Sequence, residues 1–390
     1  MIEIDDAVLS YSQELETQRD KRMDTFKKMS QQLVNCIMDD DELDESEFNG
    51  INTRVNQIMS SRLVCRSLTG FVPEEIEKLV AISEGCFIIS GKGRRIRLKP
   101  IDFIVILLHY LRCYPSFERG AFLFNLKTST YEKYVKTAYE AVRDLYYQNF
   151  VVNPAEHFEL PVSDEFPEAS YVVDATVQKI YTPLGPFLNA KPYFSGKHYC
   201  YCLKSQVICD AKGAALHVVA GIPGATHDLA IFRDNMESFQ NSIVKVHTNS
   251  GPKILADKGY ISSEFSDVLI TPFKGMPYDL SPQQNEHNQE LASARVVVER
   301  FFGRLKNRWD IMKAEYRGNR DEYQNIFKLC VALTNFEIRE FDYPLSEEDS
   351  FFYQRLIADM IYIEKLSYED HLELRRQQRQ RRLLKITNKV

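Results

Sequence analysis

Several things are missing from this sequence. No apolar run approaches the roughly 18 residues of a membrane span. The first ten residues are acidic and have no apolar core, which excludes a secretory signal. No cysteine pair has Cys-x-x-Cys spacing; the nearest, Cys200 and Cys202, flank a single tyrosine. That argues against a zinc ribbon or a disulfide scaffold and for free thiols in a reducing compartment, the nucleus or alternatively the cytoplasm. Gly91-Lys-Gly93 is too short for a phosphate-cradling loop, and no serine elbow is present. An excess of positive charge is also missing: the net charge over 390 residues is −6. Taken alone, that weighs against a nucleic-acid binder.

What is present is unevenly spread. Residues 1–60 hold 6 basic and 14 acidic side chains, and seven acids fall in the nine residues 39–47. Such a block repels itself, so residues 1–65 read as an acidic, disordered or loosely helical lead. Once that lead is set aside, the remainder is net +2. Residues 91–150 carry 11 cations against 5 acids, 295–320 carry 8 against 3, and 371–390 carry 7 against 1.

From residue 66 the pattern becomes globular. Thr69 is a candidate cap for a short helix opening at Pro73. Helix-length segments follow at about 100–113, 116–124 and 128–147. A short helix, a turn near Asn125 and a longer helix opening on Thr128-Ser-Thr130 has helix-turn-helix spacing. Arg94, Arg95 and Arg97 precede it. Lys127, Thr128, Ser129, Thr130, Lys133 and Lys136 lie where a recognition helix would meet bases and phosphates. A plain three-helix bundle with a charged outer face has the same spacing.

Beyond residue 165 the runs become short and β-branched: Tyr171-Val-Val173 ending at Asp174, residues 199–209 and 215–220 joined by an Asp210–Gly213 turn, then 253–256 and 268–271. A short helix at 229–236, a long one at about 284–313 and another at 322–340 make this region α/β. Acids sit at the ends of these runs: Asp174, Asp228, Asp257, and Glu299 within the long helix. A carboxylate among apolar residues needs a cationic partner. Oxygen donors without a His or Cys cluster suit Mg²⁺ or Mn²⁺, and two such ions about 4 Å apart drive phosphodiester chemistry. Each acid taken singly serves equally as a cap or ion-pair member. Arg295, Glu299, Gly303 and Lys306 share one helical face, with Arg300 and Arg304 nearby, a surface suited to a phosphate backbone.

Asn288 to Trp309, with Glu299 and Gly303, resembles the glutamate helix of the PIF/Harbinger transposases. Val172-Val-Asp174, Pro223-Gly-Ala-Thr-His-Asp228 and Leu255-Ala-Asp257-Lys-Gly-Tyr260 resemble that family's other motifs, in the same order. The resemblance implies an RNase H-like nuclease core, a mixed sheet flanked by helices, at 165–342. An all-α helix-turn-helix domain would precede it at 66–150, and a helical basic tail would follow at 343–390. It implies a metal-dependent DNA endonuclease or transposase, or a domesticated DNA-binding descendant without cleavage. Asp174, Asp257 and Glu299 would be the catalytic metal-binding triad, with Asp228 as a fourth metal-associated acid. Which of Asp228 and Asp257 is the essential second acid stays open; Asp257 is favoured because a strand end fixes a ligand better than a loop. His227 and Arg295 are candidates for orienting these groups. DNA, a Myb-like partner protein and a second copy of the chain are the expected partners, with no membrane.

Overall fold

The computed structural model describes residues 45–87, 98–151, 160–183, 187–243, 253–276 and 278–341, with scattered residues between 17 and 31. The acid block at 39–44, the arginines Arg94, Arg95 and Arg97 and the basic tail lie outside the described residues. No helix among the described residues is long and apolar enough to cross a membrane.

After the scattered helical residues between 17 and 31, the described residues form α1 (Glu45–Met59), α2 (Arg62–Thr69), α3 (Pro73–Ser83), α4 (Pro100–Cys113), α5 (Phe117–Phe124) and α6 (Thr128–Phe150). The expected boundary at residue 65 is corrected. Ile51, Val55, Ile58 and Cys65 are buried in the main core, so α1 and α2 belong to the folded body. Thr69 ends α2 rather than starting α3. Its hydroxyl donates to the Cys65 carbonyl at 2.6 Å, and Gly70 closes the helix at φ 86°, a left-handed turn that glycine adopts without steric cost. The α3 entry is fixed instead by Glu75, which accepts from the Val72 amide at 2.8 Å. α4 opens at Pro100 and buries every residue from Asp102 to His109. The α5–α6 turn forms as expected, with Asn125 left-handed at φ 55°. Gly120 lets the two helices touch: a side-chain carbon there would stand 2.3 Å from the Tyr131 ring.

The sheet follows: β1 (Ala169–Lys179), β2 (Phe194–Ser195), β3 (Cys200–Asp210), β4 (Ala215–Pro223), β5 (Lys253–Leu255) and β6 (Leu269–Ile270). β1, β3 and β4 form an antiparallel meander, with β2 also paired to β3. β5 and β6 then add in parallel on the other side of β1. Alternation divides the strands into two apolar faces. Tyr171, Val173, Ile208 and Leu216 pack under α7 (Asp228–Ile243). Val172, Val207 and Cys209 join the main core under α8 (Pro282–Arg308) and α9 (Tyr323–Phe341).

That main core is continuous from the helices into the sheet. α6 packs on α9, α9 on β4, and α8 on β1. Phe150 meets Phe336 at 5.0 Å between centroids and Phe71 meets Trp309 at 5.6 Å. Trp309 is fully buried and donates to the Thr334 hydroxyl at 3.1 Å. The helical segment and the sheet therefore share one interior.

Candidate active site

Asp174 does not end its strand. β1 continues to Lys179, paired with β3 throughout, but its parallel pairing with β5 stops at Val172↔Leu255. Asp174 therefore lies just past the point where one neighbour leaves the sheet, in the crevice left beside β1 at the carboxyl ends of β5 and β6. Open α/β sheets characteristically bind ligands at this end.

Two other acids reach the crevice. Asp257 leaves β5 after Ala256 and caps the short turn Lys258–Tyr260, accepting from the Gly259 amide at 2.6 Å. Asp228 opens α7 at the end of the Pro223–His227 loop. That loop is pressed onto β3: a side-chain carbon on Gly224 would stand 2.5 Å from Cys202 Sγ, so glycine is needed for the close approach. Carboxylate oxygens of Asp257 and Asp228 lie 2.9 and 3.4 Å from one point above Gly259. Glu299 is half-buried on α8, one turn beyond Arg295, and so on the same helical face.

Two cations meet these acids. Arg295 Nη2 stands 3.3 Å from Asp174 Oδ2, and Lys204 Nζ stands 2.7 Å from Asp228 Oδ1. Lys204 also donates to the Thr226 carbonyl at 2.6 Å. Gln206 donates to the Asp228 carbonyl at 3.1 Å and to the Tyr260 hydroxyl at 3.0 Å, tying both acid-bearing loops to β3. Even so, the Asp174 carboxyl holds its proton more tightly than usual. Burial, with the carboxylates of Asp257 and Asp228 adding to it, pushes Asp174 up to about 7 against the opposing pull of Arg295 and the Ala175 amide. Arg295 Nε is buried without a hydrogen-bond partner among the described residues.

Among the described residues no three His, Cys, Asp or Glu side chains converge as a ready-made metal cage. The donor chemistry nevertheless fits a hard divalent cation. It offers oxygen ligands only, and the carboxylates of Asp257 and Asp228 add to the proton affinity of the buried Asp174.

The other expected site residues are distributed differently. His227 is exposed, and its carbonyl accepts from the Ala230 amide at 3.0 Å. Lys127, Thr128, Ser129 and Lys136 are exposed at the start of α6, while Thr130 and Lys133 are half-buried there; Lys136 pairs with Glu132 at 2.7 Å. Arg300 is half-buried. The reading of Arg304 and Lys306 as DNA contacts is corrected: they are 7% and 2% exposed. Lys306 Nζ donates to the Val177 carbonyl at 2.7 Å, and burial holds its amine down to about 7. The face carrying Arg295, Gly303 and Lys306 lies against the sheet, and long aliphatic stems let these cations enter the interior. Lys204 and Gln206 were not anticipated. Their signal is a polar Lys-Ser-Gln interruption in an otherwise apolar buried strand.

Residues 173–335 match the family model described as DDE superfamily endonuclease, a span that contains all four acids. Over 255 residues, 63% of this chain and 83% of the relative, the sequence is 26% identical to the probable transposase for insertion sequence element IS702 of Microchaete diplosiphon. No solved structure matches. The mixed sheet flanked by helices is consistent with a DDE nuclease core.

Proposed function

We propose that this chain is a divalent-metal-dependent DNA endonuclease of the PIF/Harbinger transposase type, acting on nuclear DNA. The observation that carries this reading is the gathering of carboxylates at the crevice: Asp174 feels the charges of Asp228 and Asp257, and among the described residues Arg295 and Lys204 are the cations paired with them.

Asp174, Asp257 and Glu299 would hold the cation. Asp228, already bonded to Lys204, supports the site from the neighbouring loop. A divalent ion bound there supplies activation of an attacking water or hydroxyl and stabilisation of the leaving oxygen. Among the described residues Arg295 Nε has no hydrogen-bond partner, and the side chain sits one helical turn from Glu299, a guanidinium where a scissile phosphate would need orientation. Phosphoryl chemistry depends mostly on such positioning and charge neutralisation. The exposed Lys127, Thr128, Ser129 and Lys136, with Arg94, Arg95 and Arg97, are the proposed grip on the duplex backbone.

The deciding experiment is plasmid nicking by the full chain in Mg²⁺ or Mn²⁺ and in chelator, with Asp174→Asn and Glu299→Gln beside the wild type. Metal-dependent nicking lost in both variants supports the reading. DNA binding without metal-dependent nicking by the wild type would leave a transposase-derived DNA-binding protein instead.

A further inference from the structure

Across the parallel strands, Val172, Leu255 and Ile270 stand in one row. Two residues further along each strand come Asp174, Asp257 and Pro272. The loop that follows β6 therefore leaves the sheet beside the carboxylates, at the same end.

This loop is unusual in both its anchoring and its surface. Its root is clamped to α8: the Phe273 amide donates to Asn288 Oδ1 at 2.8 Å, and Asn288 Nδ2 donates to the Phe273 carbonyl at 3.1 Å. The Phe273 ring packs edge-on against His287 at 5.1 Å, and His287 in turn meets the buried Phe166 at 5.4 Å. The far end is held as well, with Asn285 donating to the Leu280 carbonyl at 3.3 Å and Ser281 capping α8. Between these anchors the loop turns its apolar groups outward. Phe273 is 47% exposed, Met276 56% and Tyr278 81%. An aromatic group kept in water by a rigid frame is a binding surface in want of a flat partner.

Position and charge indicate which partner. Asn288, Arg295 and Glu299 follow one another at steps of seven and four, so they share a face of α8. The clamp lies two turns, about 10 Å, from Arg295, roughly three base steps along a DNA strand. Lys258 and Lys274 are exposed at the ends of the neighbouring strands β5 and β6, placed to meet phosphates; Asp279 is the one exposed acid between the two anchors.

We infer that Phe273 and Tyr278 form a stacking platform that holds an unstacked base of the DNA strand entering the acid cluster, so that the substrate is a locally opened duplex. The inference rests on the nuclease reading and specifies its substrate. Stacking on an aromatic side chain tolerates any base, because every base has a π-face.

The test uses the full chain in chelator and two labelled oligonucleotide duplexes of the same sequence. One is fully paired; the other carries a three-nucleotide gap with 2-aminopurine in the unpaired stretch. The wild type is expected to bind the gapped duplex more tightly and to quench the 2-aminopurine. Tyr278→Ala, at a site too exposed to endanger folding, should weaken gapped-duplex binding about ten-fold and leave paired-duplex binding unchanged. Tyr278→Trp should restore both the preference and the quenching, and Phe273→Ala combined with Tyr278→Ala should abolish them. Equal quenching and equal gapped-duplex affinity in wild type and double variant overturn the inference. Loss of self-association in the double variant, with gapped-duplex binding intact, also overturns it and makes the loop an interface between copies. A wild type that cuts paired duplex in Mg²⁺ without preferring the gapped form sinks the platform and spares the nuclease. One that neither binds nor cuts DNA sinks both.

Discussion

Two constellations of buried charge in this molecule have opposite balances. Where the helical layer meets α8 and α9, Glu337 is 3% exposed and bonded to Arg308, with Arg66 at 3.5 Å. Arg308 also donates to the Gly70 carbonyl and lies over the Phe71 ring. Arg112 closes the same junction by donating to the Asn307 and Arg308 carbonyls at 2.6 and 2.7 Å. One acid there faces two arginines, both at its Oε1, so cations outnumber the carboxylate. In the crevice the ratio is reversed: among the described residues three aspartates meet two cations, and burial, with the neighbouring carboxylates adding to it, pushes Asp174 up to about 7. A compensated buried pair is built to stay as it is; an uncompensated one is built to take up something positive.

The sharpest way to break this contrast is to remove one carboxylate from each constellation. Asp174→Asn should lower metal-dependent cleavage at least a thousandfold, about 4 kcal/mol of barrier. It should leave the midpoint of thermal unfolding unchanged or raise it. Glu337→Gln should do the opposite, costing about 3 kcal/mol of stability because two arginines lose their partner in the interior. Calorimetry and nicking at a temperature where both variants are folded separate the two. A Glu337→Gln variant of normal stability would show that the junction is not a structural pair.

Acid titration separates the Asp174 carboxyl from the buried histidines by sign. His109, His198 and His217 are each held down to about 4 by burial. The folded chain thus binds fewer protons than the unfolded chain between that value and the ordinary imidazole range. Their stabilisation is present above about pH 6.5 and is lost on acidification toward 4, on the order of several kcal/mol in all. Asp174 acts in the reverse direction: its raised value makes the metal-free fold gain stability as pH falls through 7. Asp174→Asn should therefore steepen the acid loss seen in chelator between pH 7 and 4. A shallower loss would contradict the assignment.

The smallest expected effect is at Lys204. Lys204→Met removes one of the two cations and should tighten Mg²⁺ or Tb³⁺ binding by about ten-fold, near 1.4 kcal/mol, read by Tb³⁺ luminescence. Weaker binding would mean that Lys204 shapes the ligands rather than competing for them.

Much of this arrangement was legible in the residues. The β-branched runs ending in Asp174 and Asp257 became neighbouring parallel strands, and the Asp210–Gly213 turn joined β3 to β4, because period-two patterns and turn residues are local signals. Less was legible where packing overrode composition. The acid block next to α1 hid a helix whose Ile51, Val55 and Ile58 are core residues. Arg304 and Lys306 read as surface cations because charge suggests solvent, yet the helix that carries them turns that face to the sheet. Lys204 found Asp228 across 24 residues of sequence, a meeting that only the β3 register and the Gly224 approach explain.

The shared interior has a geometric consequence. With Phe150 against Phe336 and Arg112 fastened to the end of α8, the start of α6 and the carboxylate crevice belong to one rigid frame rather than to two beads on a string. The protein is then a caliper. A duplex held at Lys127 and Lys136 would meet the crevice at an offset set by side-chain packing, and the spacing between grip and cut would be a constant of the fold, not of any linker.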